Sequence, residues 1–204
     1  MDEILSGISK LFKKCGIKNI NMDDIARELG ISKKTLYQQF ENKNDVIYKV
    51  TQNEIENEFD DLNKLLLKYS NAINQLYFIT KYIVVKLNDL TPSLTYEMNK
   101  YYPQIWGKLK SHRNEYIQSL LKQNFQLGIR QGMYRENLNT DANAVFHTFL
   151  LDIKRFETFK DELKDDLNKV FKTLFLFHLR GIATSTGMEY IEQLFNNLKN
   201  EDYL

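Results

Sequence analysis

The sequence predicts an all-α protein in two parts: an N-terminal three-helix unit over residues 1–45 and a longer helical remainder over 46–204. Apolar residues recur at helical spacing along nearly the whole chain. Helix breakers are rare, with only 2 Pro and 8 Gly in 204 residues. No internal repeat, low-complexity stretch or linker-like segment interrupts the pattern, so the boundary near residue 45 reads as a rigid joint inside continuous helical structure.

The first helix carries Ile4, Leu5, Ile8, Leu11, Phe12 and Cys15 on one stripe, and Gly16 ends it. On that stripe Cys15 reads as an inert core residue. A second helix is predicted from about Asp23 to Leu29. Asn21 is its N-cap, and Asp24, three residues on, can complete a capping box. Met22, Ile25, Ala26 and Leu29 form its apolar face. Gly30 stands where a helix end needs left-handed geometry. Ile31 returns the chain to the core, and Ser32 caps a third helix. Two short helices joined by a tight glycine turn are a helix-turn-helix.

The third helix carries the chemistry. Leu36 and Phe40 lie one turn apart and face inward. At about 100° per residue, Lys34 and Gln38 then point away from the core, flanked by Thr35 and Tyr37. Such a face can donate to phosphates and read base edges: Gln suits adenine, Lys suits guanine. Lys33 and Lys34 fall in the first helical turn, where the macrodipole disfavours cations by roughly 0.3–1 kcal/mol each. Accepting that cost points to a polyanion. The competing reading is an ordinary solvated helix face.

The remaining helices are predicted from about Asp45 to Lys68, Asn71 to Leu87, Pro92 to Tyr101, Pro103 to Gln131, Asp141 to Phe159, Asp161 to Arg180, and Met188 to Leu198. The penultimate one is apolar around nearly its whole circumference, with Val170, Phe171, Leu174, Phe175, Leu176, Phe177 and Leu179. Its predecessor is similarly rich, with Val145, Phe146, Phe149, Leu150, Leu151, Ile153 and Phe156. A helix apolar all round is covered on both sides. One face can meet its own core, and a two-fold partner forming a four-helix bundle is the economical cover for the other. Simple interior packing is the alternative.

Several positions resemble the tetracycline-repressor (TetR) family of bacterial regulators: Ala26, Gly30, Ser32, Thr35-Leu36-Tyr37, Phe40 and Lys43. The stretch from Tyr96 to Trp106 and the run from Gly128 to Arg135 resemble one subset of that family, and Arg180-Gly181 resembles the end of its last dimer helix. The resemblance implies a DNA-binding domain over 1–45 and an effector-binding and dimerisation domain over 46–204. Lys33, Tyr37, Gln39 and Lys43 are then assigned to phosphate, with Asn21 where the family usually has Ser or Thr. Lys34, Thr35 and Gln38 are assigned to base edges. Two departures stand out. Lys34 replaces a usually small residue, and Gln39 replaces the usual His or Tyr.

Helices that surround a cavity in similar proteins carry Phe78, Tyr82, Tyr96, Met98, Tyr102, Trp106, Tyr116 and Phe125. Aromatic walls with hydroxyls suit a largely apolar small molecule with a polar end; for any single residue, core packing is the plainer reading. His112, His147 and His178 can orient a ligand, though lone histidines on helices are usually just satisfied. Phe149, Ile153, Leu174 and Phe175 are expected at or beside a dimer interface.

Other classes find little support. None of the three histidines has Glu three positions before it, so the Glu-x-x-His pairs of a di-metal bundle are missing. There is no His-x-x-x-His, phosphate loop or nucleophile motif. No catalytic residue, metal or cofactor is assigned. The net charge is +1, so attraction for nucleic acid must be local, at Lys33, Lys34 and Lys43. One Cys fits a reducing cytosol. No signal peptide or apolar run of membrane length is read. The expectation is a cytoplasmic homodimeric regulator on a palindromic operator in double-stranded DNA, acting as a repressor. A small-molecule effector releases it by making the helix from Asp45 swing. A regulator answering to a protein partner is the alternative.

Overall fold

The computed structural model describes residues 2–88, 92–151 and 167–197. Among them are ten helices: α1 (Asp2–Cys15), α2 (Met22–Glu28), α3 (Lys33–Gln39), α4 (Lys43–Lys68), α5 (Ala72–Asn88), α6 (Pro92–Tyr101), α7 (Pro103–Arg130), α8 (Thr140–Leu150), α9 (Leu167–Ile182) and α10 (Ser185–Asn197). The all-α fold expected from the periodicity is what forms. None of the described helices is long and apolar enough to cross a membrane.

Local capping sets most starts. Asn42 accepts the Asp45 N–H at 3.1 Å and so opens α4 two residues before Asp45. Asn139 accepts the Ala142 N–H at 2.9 Å and opens α8. The Thr184 hydroxyl accepts the Gly187 N–H at 3.1 Å, which starts α10 three residues before Met188. The expected stretches 152–159 and 161–166, with Ile153 and Phe156, lie outside the described residues.

The chain divides into two compact units. The first holds residues 1–61 and 88–113. Its core joins Leu5, Ile8, Leu11 and Phe12 of α1, Ile25 and Ala26 of α2, Leu36 of α3 and Val46, Ile47 and Val50 of α4. Met98 of α6 completes it, with Leu94, Tyr102, Ile105 and Trp106 packed against it. Each fully buried aliphatic side chain stabilises the unit by roughly 1.5–3 kcal/mol.

Cys15 is a correction: it is exposed. It is the last residue of α1, where the packing partners on that face have run out. Gly16 takes φ of 76°, a left-handed turn open to glycine. That turn sends Ile17, only 3% exposed, into the core in place of Cys15.

The second unit holds residues 62–87 and 114–204. Leu76, Tyr77, Ile79 and Ile83 of α5 pack with Ile117, Leu121 and Phe125 of α7 and Phe175, Leu179 and Ile182 of α9. Buried polar groups are tied down at the turn after α7. The Asn124 amide donates to the Ala72 carbonyl at 2.8 Å. The Tyr134 hydroxyl reaches the same carbonyl, and burial pushes that phenol's pKa far up.

Candidate nucleic-acid interface

The geometry of the α2–α3 pair is built from short-range signals. Asn21 and Asp24 form the full reciprocal capping box, each side chain accepting the other's backbone N–H. The bond from the Asn21 backbone is the main reason the Asp24 carboxyl titrates below its ordinary range. At the other end of α2, the Ile31 N–H returns to the Ala26 carbonyl at 3.0 Å and the Gly30 N–H to Arg27 at 3.2 Å. This double closure is a Schellman turn, and Gly30 supplies its left-handed residue with φ of 64°. Ser32 then accepts the Thr35 N–H at 3.0 Å and starts α3.

Leu36 and Phe40, at 0% and 1% exposure, fix the rotation of α3. Lys34, Tyr37 and Gln38 stand exposed together on the opposite side, with no carboxylate in the first turn of the helix. Asn21, Lys33, Thr35 and Lys43 have side-chain partners within the chain. Lys33 pairs with Asp23 at 2.6 Å. The Thr35 hydroxyl lies 2.7 Å from that of Ser32. Gln39 is half-buried, and its amide oxygen has no hydrogen-bond partner. The Lys43 ammonium donates to the Lys18 carbonyl at 3.0 Å. Desolvation there lowers its pKa, against the raising pull of Glu97 and Asp24.

Glu97, on α6, is a residue that sequence reasoning missed. Its carboxylate accepts the backbone N–H groups of Ile17 and Lys18 in the turn after α1. A Cβ on Gly16 would come 2.9 Å from that carboxylate. The Lys18 ammonium lies 4.8 Å from the centre of the Tyr101 ring, also on α6. The signal for this docking was the spacing of Leu94, Met98 and Tyr102, an i, i+4, i+8 stripe.

Residues 4–49 match the profile of the bacterial regulatory proteins of the tetR family. An HTH-type transcriptional regulator of Staphylococcus aureus (strain USA300) is 47% identical over 47 residues, covering 23% of this chain and 25% of that protein. Residues 4–49 are a tetR-family helix-turn-helix domain. The chain thus matches about a quarter of the length of the curated relatives. Over the whole chain the likeness is one of fold. A TetR transcription regulator from Haloarcula marismortui superposes with a TM-score of 0.74, at 16% identity, over 90% of this chain and 97% of that one. The regulator FadR from Bacillus subtilis, in complex with stearoyl-CoA, gives 0.67 at 16% identity over 88% and 97%.

Outside the tetR-family helix-turn-helix, the eight aromatic and methionine residues proposed for a cavity divide between the two units. Tyr96, Met98, Tyr102 and Trp106 belong to the first. Met98 is buried in the core behind the helix-turn-helix, Tyr102 and Trp106 pack against it, and Tyr96 is 56% exposed. Phe78, Tyr82, Tyr116 and Phe125 belong to the second. Phe78 stacks on Tyr69 at 4.1 Å, the Tyr116 hydroxyl donates to Asn63, and Lys86 sits over the Tyr82 ring. Phe125 is fully buried beside His147 and His178. Two of the three histidines depart from the expectation of satisfied rings. His112 is exposed against the edge of Phe59. His147 and His178 are buried, each with one ring nitrogen that has no hydrogen-bond partner.

α8 and α9 pack on one another. Phe175 is buried in its own chain's core, near Tyr77 and His147, and Leu174 is half-buried. Phe149 is 46% and Phe177 78% exposed. Ile153 lies outside the described residues.

Proposed function

We propose that this chain is a homodimeric DNA-binding transcriptional regulator: a repressor released from a palindromic operator by a small, largely apolar effector. The observation that carries the reading is the exposed Lys34–Tyr37–Gln38 face of α3, held out by the buried Leu36 and Phe40 on a capped, glycine-closed turn. Lys34, Thr35 and Gln38 then meet base edges. Lys33, Tyr37, Gln39 and Lys43 meet phosphate, and Asn21 lies near it. Gln39 meets phosphate through its amide N–H, the donor end of the side chain. Lys33 and Lys43 exchange an internal partner for a phosphate oxygen.

An effector acts by binding the released conformation more tightly than the DNA-bound one, and by no more than that difference. Operator-bound dimers need their recognition helices about 34 Å apart, one turn of DNA. A change in that spacing ends the fit. The bound ligand of the Bacillus subtilis FadR structure supports this part by analogy of fold.

The test is selection of bound fragments from the source genome, followed by a salt titration on the selected duplex. Each phosphate contact contributes about −0.9 to the slope of log affinity against log salt. Lys43→Ala is expected to weaken all sequences alike and flatten the slope by about that amount. Selection of no common sequence, or a slope near zero, overturns the reading.

A further inference from the structure

Buried polar atoms in folded proteins are nearly always hydrogen-bonded. Among the described residues, Nδ1 of His147 on α8 and Nε2 of His178 on α9 are not. Both residues are buried, at 0% and 5% exposure. Their ring centres lie 5.2 Å apart with a 47° tilt. Phe125, Phe146 and Phe175 pack around the pair.

The tautomer of His147 follows from its neighbour. The Thr80 hydroxyl donates its single proton to the Leu76 carbonyl at 2.6 Å. Its oxygen lies 2.9 Å from Nε2 of His147. With its proton on Leu76 that oxygen accepts, which assigns the proton of His147 to Nε2. Nδ1 is then a bare lone pair, buried among phenyl rings, with no hydrogen-bond partner among the described residues. His178 can place its own proton on Nε2. With His178 in that tautomer, the two unpartnered atoms are one acceptor and one donor on adjacent rings.

We propose that His147 and His178 are the polar anchor of a binding site for an apolar molecule carrying a hydroxyl group. A hydroxyl donates its proton to Nδ1 of His147 and accepts from the Nε2–H of His178, completing both rings. The three phenylalanines offer an apolar setting for the rest of the molecule. A carboxylate fits poorly: it has no proton to give the lone pair, and burial holds both imidazoles uncharged, the His178 pKa at about 4. An ether fits poorly as well, because it only accepts. This inference supplies the effector chemistry for the reading above and rests on it.

The test uses the full chain with 15N-labelled histidine. Long-range proton–nitrogen spectra first read the His147 tautomer, which should be protonated at Nε2. Three alcohols of different shape are then titrated, 1-octanol, 2-phenylethanol and menthol, with octanoate and methyl heptyl ether as counterparts. At least one alcohol should shift Nδ1 of His147 and Nε2 of His178 and bind at least tenfold tighter than octanoate and the ether. His147→Phe should remove that preference. If this variant does not fold, the wild-type nitrogen shifts decide alone. The proposal is overturned if none of the three alcohols moves either nitrogen, if octanoate or the ether binds as tightly as the alcohols, or if the pair is filled only by water. DNA affinity is measured separately on the selected duplex. An alcohol that binds the pair but leaves that affinity unchanged defeats the effector reading and leaves the site standing.

Discussion

On the proposed reading, Gln38 and Lys43, five positions apart, answer to different parts of a duplex. Gln38 is exposed on α3, so its amide is available to an adenine edge. Gln38→Ala should relax preference at one base pair by roughly 1–3 kcal/mol while leaving the salt slope intact. Binding of a randomised duplex pool measures this, and unchanged base preferences would defeat the assignment of the reading face. The buried histidines make a different residue-scale prediction. Below about pH 6.5 an unfolded chain protonates its histidines, whereas burial holds folded His178 neutral to about pH 4. The unfolded state therefore binds more protons in this window, and stability falls as the pH drops. It is fully held above the unfolded value. Between pH 6.5 and 5 the loss should be on the order of 2 kcal/mol from His178 alone, read as a falling urea midpoint. His178→Asn should make that dependence shallower, with buried His147 supplying the remainder.

At the scale of the helix, Glu97 shows α6 gripping the turn that precedes the helix-turn-helix. Glu97→Ala removes the acceptor of two backbone N–H groups and should cost about 1–3 kcal/mol, seen as a lower thermal midpoint. Glu97→Gln, which keeps an acceptor oxygen, should recover part of it. An unchanged midpoint in Glu97→Ala would show the grip to be incidental. The contrast between α2–α3 and α6 explains what the sequence made legible. Asn21, Asp24, Gly30 and Ser32 act on atoms within five positions of themselves, so their roles are written locally. Glu97 meets Ile17 across 80 positions, and periodicity says nothing about which neighbour a stripe will face. The same limit explains Phe175 and Phe177. On a helix apolar all round, both are equally plausible inward residues; packing on α5 and α8 takes Phe175 in and leaves Phe177 78% exposed. Cys15 fails for a related reason: a stripe continues in angle after its packing partners have ended.

For the molecule as a whole, Val145, Phe146 and Phe149 of α8 and Phe177 of α9 are all substantially exposed on helices that pack together. Large apolar side chains gathered on an exposed face mark association surfaces. A two-fold contact brings the same patch from each subunit together, and it also supplies the second recognition helix that a palindrome requires. Two charge substitutions, two residues apart, separate association from folding. Phe175→Glu buries an unpaired charge in the chain's own core and should unfold the protein. Phe177→Glu places its charge in water and should leave a folded chain that sediments as a monomer, while the unaltered protein sediments as a dimer at micromolar concentration. On a palindromic duplex the monomeric variant should bind no more tightly than on a half-site, because the second helix no longer arrives with the first. Circular dichroism confirms folding in the same samples. If the unaltered protein is itself a micromolar monomer, or Phe177→Glu stays dimeric, the patch is not the interface.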